Sequence, residues 1–126
     1  MSRRVRFKKS VVDSLLTYSK SAHPMEGILL LRGKAAKEEI LVNEVMIPPF
    51  AVHGEGFSSF PLYSLPLDTS IMGVAHSHPS GALKPSSEDI YHGYGRLMVI
   101  VGYPYESEED IGVFDKDGNR SVFEVV

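Results

Sequence analysis

Two imidazoles, a carboxylate and a hydroxyl fall within one short stretch of this 126-residue chain, in the order His76, Ser77, His78, Pro79, Ser86 and Asp89. On a strand, side chains two residues apart share a face, so His76 and His78 can aim ring nitrogens at one cation while Ser77 points away. Zinc accepts imidazole nitrogens at roughly 2 Å and, with three protein ligands, keeps its fourth position for water. Two histidines and Asp89 make those three ligands. The chemistry would be hydrolysis, because the metal lowers the pKa of that water to about 7 and makes a nucleophile at neutral pH.

The flanking residues predict elements that position this set. Residues 71–75 (Ile, Met, Gly, Val, Ala) are a short apolar run suited to a buried strand with both histidines at its C-terminal end. Pro79 stops the strand, and Pro79, Gly81 and Pro85 imply a tight loop that turns the chain back. Ser86-x-x-Asp89, following Pro85, opens a helix and places Asp89 in its first turn, facing the strand end. The same serine and aspartate also fit a capping box with no catalytic duty, and an isolated His-x-His is often a surface or hydrogen-bonded pair. Only the ordered combination points to a metal. Other His-x-His enzymes fit less well: a metallo-β-lactamase pattern needs an Asp and a further His where Pro79 and Ser80 stand, and a TIM-barrel amidohydrolase needs about 250 residues.

A glutamate, then His-x-His-Pro, then Ser-x-x-Asp with seven residues between the second histidine and the serine, here running from Glu26 to Asp89, resembles the JAMM (MPN+) metalloproteases. That family includes deubiquitinating isopeptidases and their small archaeal and bacterial relatives. The resemblance spans nearly the whole chain, through residues 22–26, the apolar residues 28–31, the histidine motif and residues 99–104, and is greatest to the minimal archaeal members. It implies an α/β fold, a mixed β-sheet with helices packed on it, of the JAMM/MPN, cytidine-deaminase-like architecture. It implies one Zn²⁺ per chain held by His76, His78 and Asp89. Glu26 would be the general base, taking a proton from the attacking water and handing it to the leaving amine. Ser86 would donate to the oxyanion, a contribution typically worth about 10²–10³ in rate. One departure is Leu29, where many relatives have glycine three residues after the glutamate.

The resemblance further implies isopeptide or peptide cleavage at the C-terminal tail of a ubiquitin-like modifier or a sulfur-carrier protein. The chain has no room for the long insertions with which larger relatives grip ubiquitin. Recognition would rest on the modifier's extended tail, with a homodimer or a partner protein adding contacts. Two other readings stand beside it: a catalytically silent MPN scaffold or binding module, and a zinc hydrolase of a small amide, marked by a deep closed pocket.

Glu38, Glu39, Glu44 and Glu55 also precede the histidines. The first three alternate with apolar residues and are expected to face solvent, whereas Glu26 immediately precedes a wholly apolar strand and sits at a core edge. Glu55 lies in a glycine-flanked loop and could instead touch substrate. The resemblance favours Glu26.

A hydrophobic content of 43% over 126 residues suffices for one core, so a single domain over residues 1–126 is expected. No segment approaches the roughly 20 apolar residues of a membrane span. Thirteen basic against sixteen acidic residues give a net charge of −3, which favours neither nucleic acid nor membrane as partner. The absence of cysteine excludes disulfides, thiolate ligands and a cysteine-protease mechanism, and fits a cytoplasmic address. Five of the thirteen basic residues are Arg3, Arg4, Arg6, Lys8 and Lys9. Val5 and Phe7 alternate with them as in a charged edge strand, so they are expected to face water rather than to form a targeting signal.

Residues 10–22 predict a helix with Val11, Val12, Leu15, Leu16 and Ala22 inward and a Ser10-x-x-Asp13 cap. Residues 28–32 and 40–47 read as neighbouring strands joined by a polar connector. Phe60, Leu62 and Tyr63 fall in a looser stretch, residues 50–70, where a short strand could offer its edge to an extended substrate peptide; an ordinary loop is the other reading. His53 could line the site or lie on the surface, and His23 and His92 have no partner nameable from spacing. Residues 97–101 read as a buried strand, and 112–114 with 121–126 as a terminal hairpin around Asp117, Gly118 and Asn119.

Overall fold

Alternating apolar residues in the first strand and continuous apolar runs in the middle of the chain produce a mixed sheet, the architecture expected. The computed structural model describes residues 3–48, 52–53, 58–59, 69–91 and 94–126. In chain order these form β1 (Arg4–Phe7), α1 (Lys9–Ala22), β2 (Ile28–Ala35), β3 (Glu39–Met46), β4 (Val52–His53), β5 (Ser58–Ser59), β6 (Ile71–His78), α2 (Ser87–Tyr91), β7 (Leu97–Gly102), β8 (Ile111–Asp115), β9 (Arg120–Ser121) and β10 (Phe123–Val125). Eight strands make one sheet in the order β10-β1-β3-β2-β6-β7-β8-β9, and β4 pairs with β5 apart from it.

The pairings fix two poles. β1 runs parallel to β3, and β6 parallel to β7, while β2 is antiparallel to both β3 and β6, and β8 to β7. The C-terminal ends of β6 and β7 therefore share one pole with the N-terminal end of β2. The N-terminal ends of β1, β3 and β7 share the other pole with the C-terminal end of β8.

The two edge strands β9 and β10 are separated in the chain only by Val122. Residues two apart span no more than about 7 Å, so the sheet rolls until its edges meet at that point. This corrects two expectations. β1 is not an edge strand, because β10 flanks it on the side away from β3. The terminal hairpin is only half formed: β9 pairs with β8, after which the chain crosses to the far edge and runs parallel to β1.

Of the basic residues around β1, Arg4 pairs with Glu124 at 2.8 Å, Arg6 with Glu39 at 3.0 Å and Lys9 with Asp13 at 3.2 Å, so these three do more than face water. Exposed pairs of this kind contribute about 0–1 kcal/mol each. Glu38 and Glu44 are exposed as expected, while Glu39 is half-buried against Arg6.

α1 begins one residue earlier than the pattern suggests, with Lys8 as its N-cap and no side-chain cap. Ser10 therefore lies inside the first turn and the expected Ser10-x-x-Asp13 cap does not form. The buried face is Val11, Val12, Leu15 and Ser19. Ser19 is tolerated there because its hydroxyl donates to the Leu15 carbonyl at 2.7 Å.

The sheet has two apolar faces. Leu29, Leu31, Ala75, Val99 and Val101 join Val11, Val12 and Leu15 of α1 in the larger core. Ile28, Leu30 and Val74 form a second cluster on the other face. Each fully buried aliphatic side chain contributes about 1.5–3 kcal/mol. Leu29, at the departure from the family's glycine, is one of them. By alternation along β6, His76 and His78 follow Val74 onto the second face, and Ser77 follows Ala75 onto the face that α1 covers. Glu55, Phe60, Leu62, Tyr63 and His92 lie outside the described residues, as does most of residues 50–70.

Candidate metal centre

β6 is buried along its whole length, and its last three residues are polar: His76 is 6% exposed, Ser77 3% and His78 9%. Burial of that much polar surface is costly unless each group is satisfied. β2 supplies one partner. Its register sets Ile28 opposite His76, so Glu26, just before the strand, arrives at the same pole. The Gly27 N–H donates to Ser77 Oγ at 2.7 Å, and the Ser77 N–H donates to the Gly27 carbonyl at 3.1 Å. Ser77 thereby ties the residue after Glu26 to the residue between the histidines. Gly27 has no room for a side chain, since a Cβ there would lie 2.7 Å from Tyr18 Cε2.

The loop after β6 supplies the second partner. The Gly81 N–H donates to the His78 carbonyl, and the Ala82 carbonyl oxygen lies 2.9 Å from His78 Nδ1. The loop ends at a reciprocal capping box: the Asp89 N–H donates to Ser86 Oγ at 3.0 Å, and the Ser86 N–H donates to Asp89 Oδ2 at 2.9 Å. The helix start predicted from Ser86 and Asp89 is therefore present, and it holds Asp89, 7% exposed, facing the strand end.

Asp89 Oδ2 lies 3.0 Å from His78 Nε2, and Asp89 Oδ1 lies 3.9 Å from His76 Nδ1. Glu26 Oε1 approaches the same His76 Nδ1 at 3.4 Å. Ligand atoms of Glu26, His78 and Asp89 all lie within 4.8 Å of one another, and His76 borders this trio through its contacts to both carboxylates. The five residues expected to share a site, Glu26, His76, His78, Ser86 and Asp89, are therefore brought to one place. Glu26, His78, Lys84 and Ser86, with Pro79 and Pro85, line a cleft of about 340 Å³.

Electrostatics reflect the crowding. Burial by itself would raise the Asp89 carboxyl, but the His78 hydrogen bond, the His76 charge and the Ser86 N–H outweigh it and bring it down from 3.8 to about 2. Burial likewise depresses the His78 imidazole, yet the Asp89 carboxylate, the Ala82 carbonyl and the Glu26 charge hold it above its ordinary 6.5.

The donor set fits a divalent cation. A carbonyl can only accept, so the Ala82 contact places a hydrogen on His78 Nδ1 and leaves the Nε2 lone pair of the neutral ring facing a carboxylate oxygen. Two acceptors 3.0 Å apart repel unless a cation or a proton lies between them. Imidazole and carboxylate donors without thiolates match catalytic zinc.

Three features near the site have no signal in residue spacing: the Ser77 tie, the Ala82 carbonyl and an aromatic group whose Tyr105 feels the Glu26 charge. In the last, His23 Nδ1 lies 2.9 Å from the Tyr105 hydroxyl and the His23 ring stacks on Tyr103 at 5.0 Å, which supplies the partners that spacing could not name for His23.

Comparison with known proteins agrees with this geometry. The family described as prokaryotic homologs of the JAB domain matches residues 8–113. A Haloferax volcanii protein named as a probable metalloprotease is 34% identical over 114 residues, covering 85% of this chain and 70% of that protein. A JAB1/MPN domain protein from Archaeoglobus fulgidus superposes with a TM-score of 0.71 at 28% identity, covering 98% of each chain. A JAMM structure described as having a metalloprotease-like zinc site in the proteasome and signalosome superposes with a TM-score of 0.68 at 27% identity, covering 100% of this chain and 99% of its own. A match over most of the sequence, a shared overall fold, and the histidines, aspartate and glutamate gathered at one pole lead to one assignment: the chain belongs to the JAMM/MPN+ family, among its prokaryotic JAB members.

Proposed function

We propose that this chain is a zinc metalloprotease that hydrolyses peptide or isopeptide bonds at the C-terminal tail of ubiquitin-like modifiers or sulfur-carrier proteins. The observation that carries the reading is the opposition of His78 Nε2 and Asp89 Oδ2 at 3.0 Å beside Glu26 and His76, at the wall of an accessible cleft. The relative named as a probable metalloprotease and the neighbour with a metalloprotease-like zinc site support the same activity.

His76, His78 and Asp89 would hold the ion. Zinc there supplies Lewis acidity, polarising the scissile carbonyl and making water acidic enough to attack near neutral pH. Glu26 takes the proton of the attacking water as its oxygen bonds to the carbonyl carbon. It then delivers that proton to the amine nitrogen as the carbon–nitrogen bond breaks. Ser86 Oγ accepts the Asp89 N–H, which leaves its own O–H free to donate to the negative charge developing on the carbonyl oxygen. The capping box and the oxyanion role are thus compatible, because the box orients the hydroxyl. The open cleft suits an extended tail, and a cytoplasmic setting suits such modifiers.

The test is metal analysis together with cleavage of an isopeptide-linked modifier and of a linear fusion to the same tail. We expect one zinc per chain and release of the free tail, with chelation abolishing turnover and zinc restoring it. A chain that binds zinc without cutting either substrate would be a scaffold module, and one that cuts only small amides would lose the modifier assignment.

A further inference from the structure

At the pole opposite the metal centre, the residues flanking several strand ends converge on a cleft of about 570 Å³. Arg3 precedes β1, Lys37 precedes β3, Arg96 precedes β7 and Lys116 follows β8, and all four line this cleft. Its floor includes Val5, Ile40 and Leu97, the ends of buried strands. Among the described residues none of the four cations is ion-paired to a carboxylate, in contrast to Arg4, Arg6 and Lys9 nearby.

Two carboxylates, Asp115 and Asp117, also line the cleft. Asp115 is already occupied: its Oδ1 accepts the N–H groups of Asp117 and Asn119 at 2.9 and 3.0 Å. The cleft keeps an excess of positive charge on a chain whose net charge is −3. The backbone fixes where one of the cations, the exposed Arg96, is rooted. Gly95, with φ +86°, packs against the Met72 carbonyl so tightly that a Cβ would lie 2.6 Å from its oxygen, and the Arg96 N–H donates to that same carbonyl at 2.7 Å.

We propose that this cleft binds a small molecule carrying two or more phosphate groups. Four cations from four separate chain segments surround a volume suited to one compact ligand. Two of them are arginines, whose planar forked donors match phosphate oxygens in pairs. Set against Asp115 and Asp117, the four cations leave an excess of two positive charges, which a single carboxylate would only half match, and two phosphate groups offer each arginine its own pair of oxygens. A long polyanion needs a basic stripe, whereas these cations ring one hollow. The site is independent of the peptidase reading, since it shares no residue with the metal centre.

The probes are inorganic tripolyphosphate and ADP, titrated by calorimetry into the zinc-loaded protein at physiological ionic strength, with amide shifts followed by NMR. We expect saturable one-to-one binding, with shifts at Arg96, Leu97, Lys116 and Ser121 and none in residues 79–86. Arg96→Gln and Lys37→Gln, checked as folded by their melting temperatures, should each weaken binding about tenfold, the scale of one charge-assisted contact. Lys20→Gln, near the other pole, should leave affinity unchanged. Tighter binding of ADP would show that the apolar floor takes the base, and equal affinity that the cleft reads phosphates alone; both support the proposal. Absence of saturable binding, shifts confined to residues 79–86, or affinity for a single-stranded oligonucleotide exceeding that for both probes would overturn it.

Discussion

His78 Nε2 lies 3.0 Å from Asp89 Oδ2, while the other ring nitrogen of His78 faces the Ala82 carbonyl at 2.9 Å. A ring held in this way has one nitrogen committed to donating and the other aimed at a carboxylate. A proton or a metal ion can occupy the space between them, and the two compete. Asp89→Asn removes the charge while keeping the shape. Zinc affinity should fall by more than the roughly 10–100-fold that losing an outer-shell partner costs. Competition with a chromophoric chelator measures this, and an unchanged affinity would remove Asp89 from the ligand set.

Glu26 is 5% exposed, and Glu26→Gln keeps its shape, leaving no cavity while removing the negative charge and the ability to hold a proton. Zinc content and melting temperature should stay close to wild type while kcat falls about 10²–10⁴-fold. Turnover within a few-fold of wild type would assign proton transfer to another group.

Ser86→Ala removes both a cap acceptor and a hydroxyl donor. Loss of the cap should cost about 0.5–2 kcal/mol of stability. Loss of the donor should lower kcat about 10²–10³-fold with little change in KM, because the oxyanion exists only in the transition state. Activity that declines only in step with stability and zinc occupancy would leave Ser86 with the capping role alone.

Ser77→Ala strips the acceptor from the buried Gly27 N–H and should destabilise the protein by about 1–3 kcal/mol. Gly27→Ala should cost a similar amount, about 1–3 kcal/mol, by pressing a methyl group against Tyr18. Urea unfolding reads both. A Ser77→Ala midpoint equal to that of wild type would mean that Gly27 finds another acceptor.

The Asp115 carboxyl is held below its usual value, chiefly by the backbone N–H of Asn119. A depressed carboxyl contributes stability that is present above its unfolded pKa, here 3.8, and is lost as pH falls through the lower folded value. Asp115→Ala should therefore lower the melting temperature at pH 7 and converge with wild type well below pH 3.8. A gap between the two melting curves that persists unchanged into acid would show that the carboxylate charge plays no part in the turn.

Much of this molecule is written locally. The alternation His76, Ser77, His78 on a buried strand, the proline-stopped turn and the Ser86 to Asp89 helix start each depend on neighbours a few residues away, so periodicity and spacing carry them. The same holds for the strands at residues 28–32 and 97–101 and for Val11, Val12 and Leu15 of α1, whereas Leu16 and Ala22, expected inward, are only half-buried and the buried Ser19 is satisfied by its own helix.

What local pattern could not reveal is where strands meet. A charged, alternating β1 looks the same at an edge as between β10 and β3, and only the long-range pairing of the last residues with the first makes it interior. The tie of Ser77 to Gly27 spans 50 residues and that of His23 to Tyr105 spans 82. Arg3, Lys37, Arg96 and Lys116 come together only because β1, β3, β7 and β8 end at one pole. The sequence by itself determined the chemistry available to this protein, since donor atoms and their short-range spacing are local properties. Tertiary structure decided which carboxylate reaches those donors and which cations share a cleft, because strand order and sheet closure are set by contacts between residues far apart in the chain.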